Sequence, residues 1–197
     1  MEREMTIAEG LTKLKIIKKQ LDTLNRKFSK YSAWNNKKKH PLGDSKTSVA
    51  NTLNQAQEEI NKDYQSYMDL IEEYKQIKSA IDFTNLQVTI TVAGKTMTLY
   101  DALTYLRHIK PLYDSLNKSF GNAISNAEYD VDNYNSTFAR VDDEQKKAVM
   151  ADIIYFIDKD KIKEINDFND QFLLEVNGKL NSQNALTQII WPGVKES

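Results

Sequence analysis

The sequence predicts a mainly α fold: two pseudo-repeated helix–loop–helix hairpins with long coiled-coil-like helices and a short β-hairpin between the repeats. Three observations predict it. Apolar residues recur every three or four positions over long stretches, the period of a helix with one buried face. Three prolines and six glycines in 197 residues leave few breaks. A 24-residue segment also occurs twice, at 5–28 and 97–120, with 11 identities and no gap. That is a duplication signature. The length fits a single domain spanning 1–197, with one pseudo-repeat at 5–92 and the other at 97–191.

The repeated segment reads MTIAEGLTKLKIIKKQLDTLNRKF and then MTLYDALTYLRHIKPLYDSLNKSF. Each copy opens on Thr followed three positions later by an acid, Thr6 with Glu9 and Thr98 with Asp101, the spacing of a capping box. The first helix then carries Ile7, Leu11, Leu14, Ile17, Leu21, Leu24 and Phe28 on one face. The second copy carries Leu99, Leu103, Leu106, Ile109, Leu112, Leu116 and Phe120, and Pro111 is expected to bend it.

Two longer helices complete the hairpins, from about Ser48 to Asp82 and from about Asp143 to Ser182. Their apolar positions are Leu53, Ile60, Tyr64, Tyr67, Ile71, Tyr74, Ile77 and Ile81 in one. In the other they are Val149, Ile153, Ile157, Ile165, Phe168, Phe172, Val176 and Leu180. Stripes of that length need a partner, within the chain or from a second subunit, so a homo-oligomer is expected. Between the copies Val88, Ile90 and Val92 alternate with polar residues up to Ala93-Gly94, a β-hairpin pattern. By the repeat, Glu4–Ile7 and Leu186–Trp191 are expected to form a matching strand pair, within the chain or across a dimer.

Composition excludes several chemistries. No cysteine is present, so disulfides, thiolate nucleophiles and cysteine metal sites are ruled out. The polar start MEREMTIAEG is not a signal peptide, and no stretch reaches the length of a membrane span, so a cytoplasmic location without membrane association is expected. Heavy use of Asn, Lys, Ile and Tyr suits the A/T-rich coding sequence of a low-GC bacterium or its phage. Net charge is −1, but residues 1–40 hold +7 and the remainder −8. Such polarity fits an anion-binding end, solvated faces, or subunits pairing head to tail.

Candidate chemistry is sparse. Ala93-Gly94-Lys95-Thr96 imitates the end of a phosphate loop, but the earlier glycine is missing, because Thr89 stands there; a hairpin turn is expected instead. His40 and His108 have no metal-ligand spacing. Acidic clusters at Asp130/Asp132, Asp142-Asp143-Glu144 and Asp158/Asp160 lack the glycine and terminal Glu of a calcium loop. The middle cluster is expected to cap the fourth helix. No cofactor, metal site or catalytic residue is predicted, and the chain is read as a non-enzyme.

The sharpest candidate is the segment from Tyr31 to Asp44. It breaks the helix pattern with Pro41 and Gly43 and gathers Trp34, Lys37, Lys38, Lys39 and His40. Lysines hold phosphate as point charges, and Trp stacks on a planar ring. The acidic remainder of the chain argues against extended nucleic-acid binding. The sequence therefore supports two functions. The first is a non-enzymatic interaction or scaffold protein, probing a protein partner or its own copies. The second is a binder that sequesters a small phosphorylated, nucleotide-like ligand, in the phage case a host signal.

The opening MTIAEGLTKL, Ile81-Asp-Phe-Thr-Asn85, the restart Gly94-Lys-Thr-Met-Thr-Leu-Tyr-Asp-Ala-Leu103 and Leu180-Asn-Ser-Gln-Asn184 together resemble the septicolysin-like family of bacterial proteins. The resemblance implies a helical fold and carries no mechanism. The chain departs from that pattern in its Lys-rich first loop, in a longer segment around 121–145, and in Ala185 where a tryptophan is expected.

Overall fold

The computed structural model describes residues 3–138, 149–157 and 159–191. The elements run in the order β1 (Arg3–Thr6), α1 (Ile7–Tyr31), α2 (Val49–Gln87), β2 (Thr89–Val92), β3 (Lys95–Thr98) and α3 (Leu99–Thr104). A π-helical turn (Tyr105–Ile109), α4 (Lys110–Ser136), α5 (Lys159–Leu186) and β4 (Gln188–Trp191) follow. The protein is mainly helical, and the described residues include two small two-stranded antiparallel sheets, β1–β4 and β2–β3. The chain divides into two compact units. One holds the residues up to Val88 and those from Leu180 onward; the other holds Thr89–Lys179.

In the first unit, Thr6 starts α1 as its sequence spacing predicts. The Glu9 amide donates to Thr6 Oγ1 at 3.2 Å and the Thr6 amide to Glu9 Oε2 at 2.8 Å. Two orphan donors of the first turn are thereby satisfied. The expected pairing of the terminal strands occurs within the chain, with Met5 opposite Ile189 and Thr6 opposite Gln188. The Ile7 amide extends it to the Thr187 carbonyl at 3.0 Å. Ile7, Leu14, Ile17, Ile77, Ile81, Ile189 and Trp191 are buried together at this strand end. Farther along the hairpin, Lys13 pairs with Glu73, and Lys27 reaches Glu59 at 2.5 Å and Asp63 at 2.6 Å. Phe28 meets Tyr67 edge-on at 5.8 Å. The apolar stripes are covered only in part: Leu11 and Tyr64 are exposed. α2 also runs past the expected end to Gln87, because the Val88 amide still reaches Thr84 O at 3.0 Å.

In the second unit, Ala93 and Gly94 form a two-residue turn with φ of 48° and 72°. Positive φ at both positions is the type I′ geometry that matches strand twist. Glu175 Oε2 accepts the Ala93 amide at 3.0 Å and holds the turn to α5. Thr98 repeats the capping box with Asp101, whose amide donates to Thr98 Oγ1 at 3.0 Å. Ile90, Val92, Leu99, Ala102, Phe172 and Val176 are buried. Tyr105 lies against Phe172 at 4.7 Å and Phe168 at 5.5 Å, and its hydroxyl donates to Asn169 Oδ1 at 2.6 Å. Burial, with lesser contributions from Tyr113 and Asp114, pushes its phenol pKa up.

Pro111 is accompanied by a π-helical turn just before it, in which the Lys110 amide bonds Tyr105 O, five residues back. A proline cannot donate to Arg107 O and its ring crowds that carbonyl; the widened turn takes up the misfit. The fourth helix is not continuous over the expected span from 143 to 182. Residues 142–144 lie outside the described residues, 150–157 are not helical, and α5 starts at Lys159 with Asp160 in its first turn. The reason is local. Asn135 satisfies both backbone groups of Ala151, donating from Nδ2 to its carbonyl at 3.0 Å and accepting its amide on Oδ1 at 2.8 Å. Ile153-Ile-Tyr-Phe-Ile157 also has no polar face to give a helix.

Candidate functional site

The loop between α1 and α2 is held by its own polar groups. Ser32 caps α1, its amide donating to Phe28 O at 3.1 Å. Asn35 makes a tight turn, with Oδ1 accepting the Lys37 amide at 2.9 Å and its carbonyl accepting the Lys38 amide at 3.0 Å. Trp34 Nε1 donates to Lys39 O at 3.1 Å, which fixes the indole across the turn. Asp44 does the same for the second half, accepting the Lys46 amide at 2.9 Å, before Ser48 caps α2.

His40 is the pin of this loop. It is buried, and its ring stands edge-on to Trp34 at 5.0 Å and Tyr31 at 5.9 Å. Nδ1 accepts the Leu42 amide at 3.1 Å, leaving Nε2 to donate to the Tyr31 carbonyl at 3.0 Å. Neither nitrogen is left for a ligand. Gly43 then passes against buried Thr52 on α2; a Cβ there would fall 2.6 Å from Thr52 Cα. Only glycine allows that approach.

Tyr31, Trp34 and His40 form one side of a cleft of about 370 Å³, and Ala56, Gln57 and Asn61 of α2 form the other. Trp34 stays 44% exposed, so its ring remains available beside the cleft. Gln57 and Asn61 stand one helical turn apart, and no hydrogen bond among the described residues takes up either carboxamide. The five residues singled out in the sequence therefore part company. Trp34 and His40 line the cleft. Lys37 and Lys38 are exposed on the adjoining turn, and neither ammonium has an ion-pair partner among the described residues. Lys39 turns back to the Ser45 carbonyl. Gln57 and Asn61 were not legible as cleft residues, because an amide on a polar helix face carries no signal until a loop folds over it.

The other candidates resolve into local structure. Lys95, in the phosphate-loop imitation, lies over Phe168 at 4.2 Å in a cation–π contact. His108 is exposed on the π-helical turn. Among the described residues no cluster of His, Asp or Glu is placed to hold a metal ion, and no helix is long and apolar enough to cross a membrane.

A second surface stands out. α4 has 27 residues and none is buried; Leu112 is 67% and Leu116 44% exposed. Beyond it Phe156 is 96% exposed. Family models, curated proteins and solved structures were each compared with this chain, and none matches it.

Proposed function

We propose that this chain is a non-enzymatic interaction protein that assembles with copies of itself through the long faces of its hairpins. The observation that carries the reading is α4, an amphipathic helix of 27 residues with no buried residue. A stripe holding Ile109, Leu112 and Leu116 that stays wet is costly, and large exposed apolar patches mark association surfaces. A second copy is the occupant that charge favours. Residues 26–62, at the loop end of the first hairpin, carry eight Lys/Arg against three Asp/Glu. Residues 121–170 carry six against 12. Segments of +5 and −6 on one chain attract when two copies pair basic segment to acidic segment.

The duplication belongs to the same reading. It is supported by the 11 identities, by capping boxes at Thr6 and Thr98, and by strand exchange. The strand leading each copy, β1 or β3, pairs with the strand trailing the other, β4 or β2. The septicolysin-like resemblance fits a helical interaction protein and adds no activity to it.

Light scattering coupled to size exclusion tests the proposal. The wild type is expected to run as a dimer or larger species, and Leu112→Lys with Leu116→Lys as a monomer of unchanged helicity. A wild type that stays monomeric at every concentration rejects it.

The cleft beside Trp34 favours a second reading, capture of a small anionic nucleotide-like ligand. Its test is a thermal shift with phosphorylated compounds, since a ligand of the native state raises the melting temperature.

A further inference from the structure

We infer that the cleft between the Trp34 turn and α2 is a mononucleotide site in which the ring and the charge are read by different elements. This rests on the second reading above and names its ligand class and contacts. The volume of about 370 Å³ is at the small end of ligand pockets and suits one planar heterocycle with its sugar. Trp34 is the stacking shelf. Its Nε1 bond to Lys39 O and its edge contact with His40 fix the ring before any ligand arrives. A shelf already immobile costs less to use, and stacking on it tolerates any base.

Gln57 and Asn61 supply the edge contacts. A carboxamide offers a donor and an acceptor side by side, the complement of the donor–acceptor edge of a nucleobase, above all adenine. Both side chains line the cleft, with no hydrogen bond of their own among the described residues. His40, with both nitrogens used inside the protein, is floor and not ligand contact. Lys37 and Lys38 do not line the cleft. They stand on the turn bordering Trp34, where a phosphate leaving the cleft meets two ammonium groups with no ion-pair partner among the described residues. The ring half of the site is thus apolar and amide-lined, and the phosphate half is cationic and wet. A polynucleotide is disfavoured by the acidic remainder of the chain and by a cleft with room for one base.

The test uses indole fluorescence of the full chain, titrated with AMP, adenosine, inorganic phosphate and a short single-stranded DNA. Trp191 is buried in the first unit and serves as the silent reference. AMP is expected to quench saturably, adenosine more weakly, phosphate not at all, and the DNA no better than AMP per site. Trp34→Phe removes the quench. Gln57→Ala with Asn61→Ala, both exposed and so foldable, weakens AMP and adenosine alike, by about tenfold. Lys37→Ala with Lys38→Ala brings AMP down to the adenosine level and leaves adenosine unchanged. No thermal shift with any phosphorylated compound overturns the second reading and this site together. A shift that survives the Gln57/Asn61 pair overturns the site alone, as does DNA binding more tightly than AMP.

Discussion

The Asn135 carboxamide and the Ala151 backbone are joined by two hydrogen bonds, of 2.8 Å and 3.0 Å, that imitate one rung of a β-ladder. This pair ties the chain to α4 just before the apolar run Ile153–Ile157, where the periodicity of the sequence predicts helix. Asn135→Asp keeps the acceptor and loses the donor. It is expected to cost about 1–3 kcal/mol, because the Ala151 carbonyl then faces a carboxylate. Chemical denaturation checks the cost, and hydrogen exchange at the Ala151 amide separates the two bonds: it accelerates in Asn135→Ala, which loses the acceptor as well, while amides in α1 are unchanged.

The two capping boxes predict matched losses. Thr6→Ala and Thr98→Ala are each expected to cost about 1 kcal/mol by chemical denaturation. A duplication in which both copies still depend on their Thr gives similar values. A silent Thr98→Ala would show that α3 is held by packing of Leu99 and Ala102 alone.

Ala93 holds a positive φ of 48° that only glycine and, to a lesser degree, asparagine adopt readily. Ala93→Asn places Asn-Gly in the type I′ turn and is expected to stabilise by about 1 kcal/mol. The measurement is the denaturation midpoint at constant slope.

Gly43→Ala is expected to push the loop off α2, since the new Cβ meets Thr52 Cα and its carbonyl, not a flexible side-chain end. The cost is about 1–3 kcal/mol. It comes with a red shift of Trp34 emission, because the His40 pin lies three residues away.

Glu175 predicts an acid limb. Its hydrogen bond from Gln171, and then that from the Ala93 amide, hold its carboxyl below the usual range. A depressed carboxylate contributes stability that is present above its unfolded pKa and lost as pH falls through the folded value. The difference in melting temperature between wild type and Glu175→Gln should therefore be full at neutral pH. It should shrink below about pH 4.3. A difference that grows in acid contradicts the Ala93 contact as the source.

What the sequence determined by itself is the local part of this protein. Thr-x-x-Glu and Thr-x-x-Asp start helices, Ala-Gly between alternating residues turns a hairpin, and three- and four-residue spacing makes α1 and α2, because each is settled within a few residues of chain. Only the tertiary structure decided which backbone groups found partners far away. Asn135 reached Ala151 just before residues that periodicity makes helical and the fold does not, a π-helical turn accompanied Pro111, and His40 drew its loop inward. That folding back put Trp34 beside Gln57 and Asn61 and left the lysines outside. A side chain's use depends on what the rest of the chain leaves for it to bond, and spacing along the sequence carries no record of that.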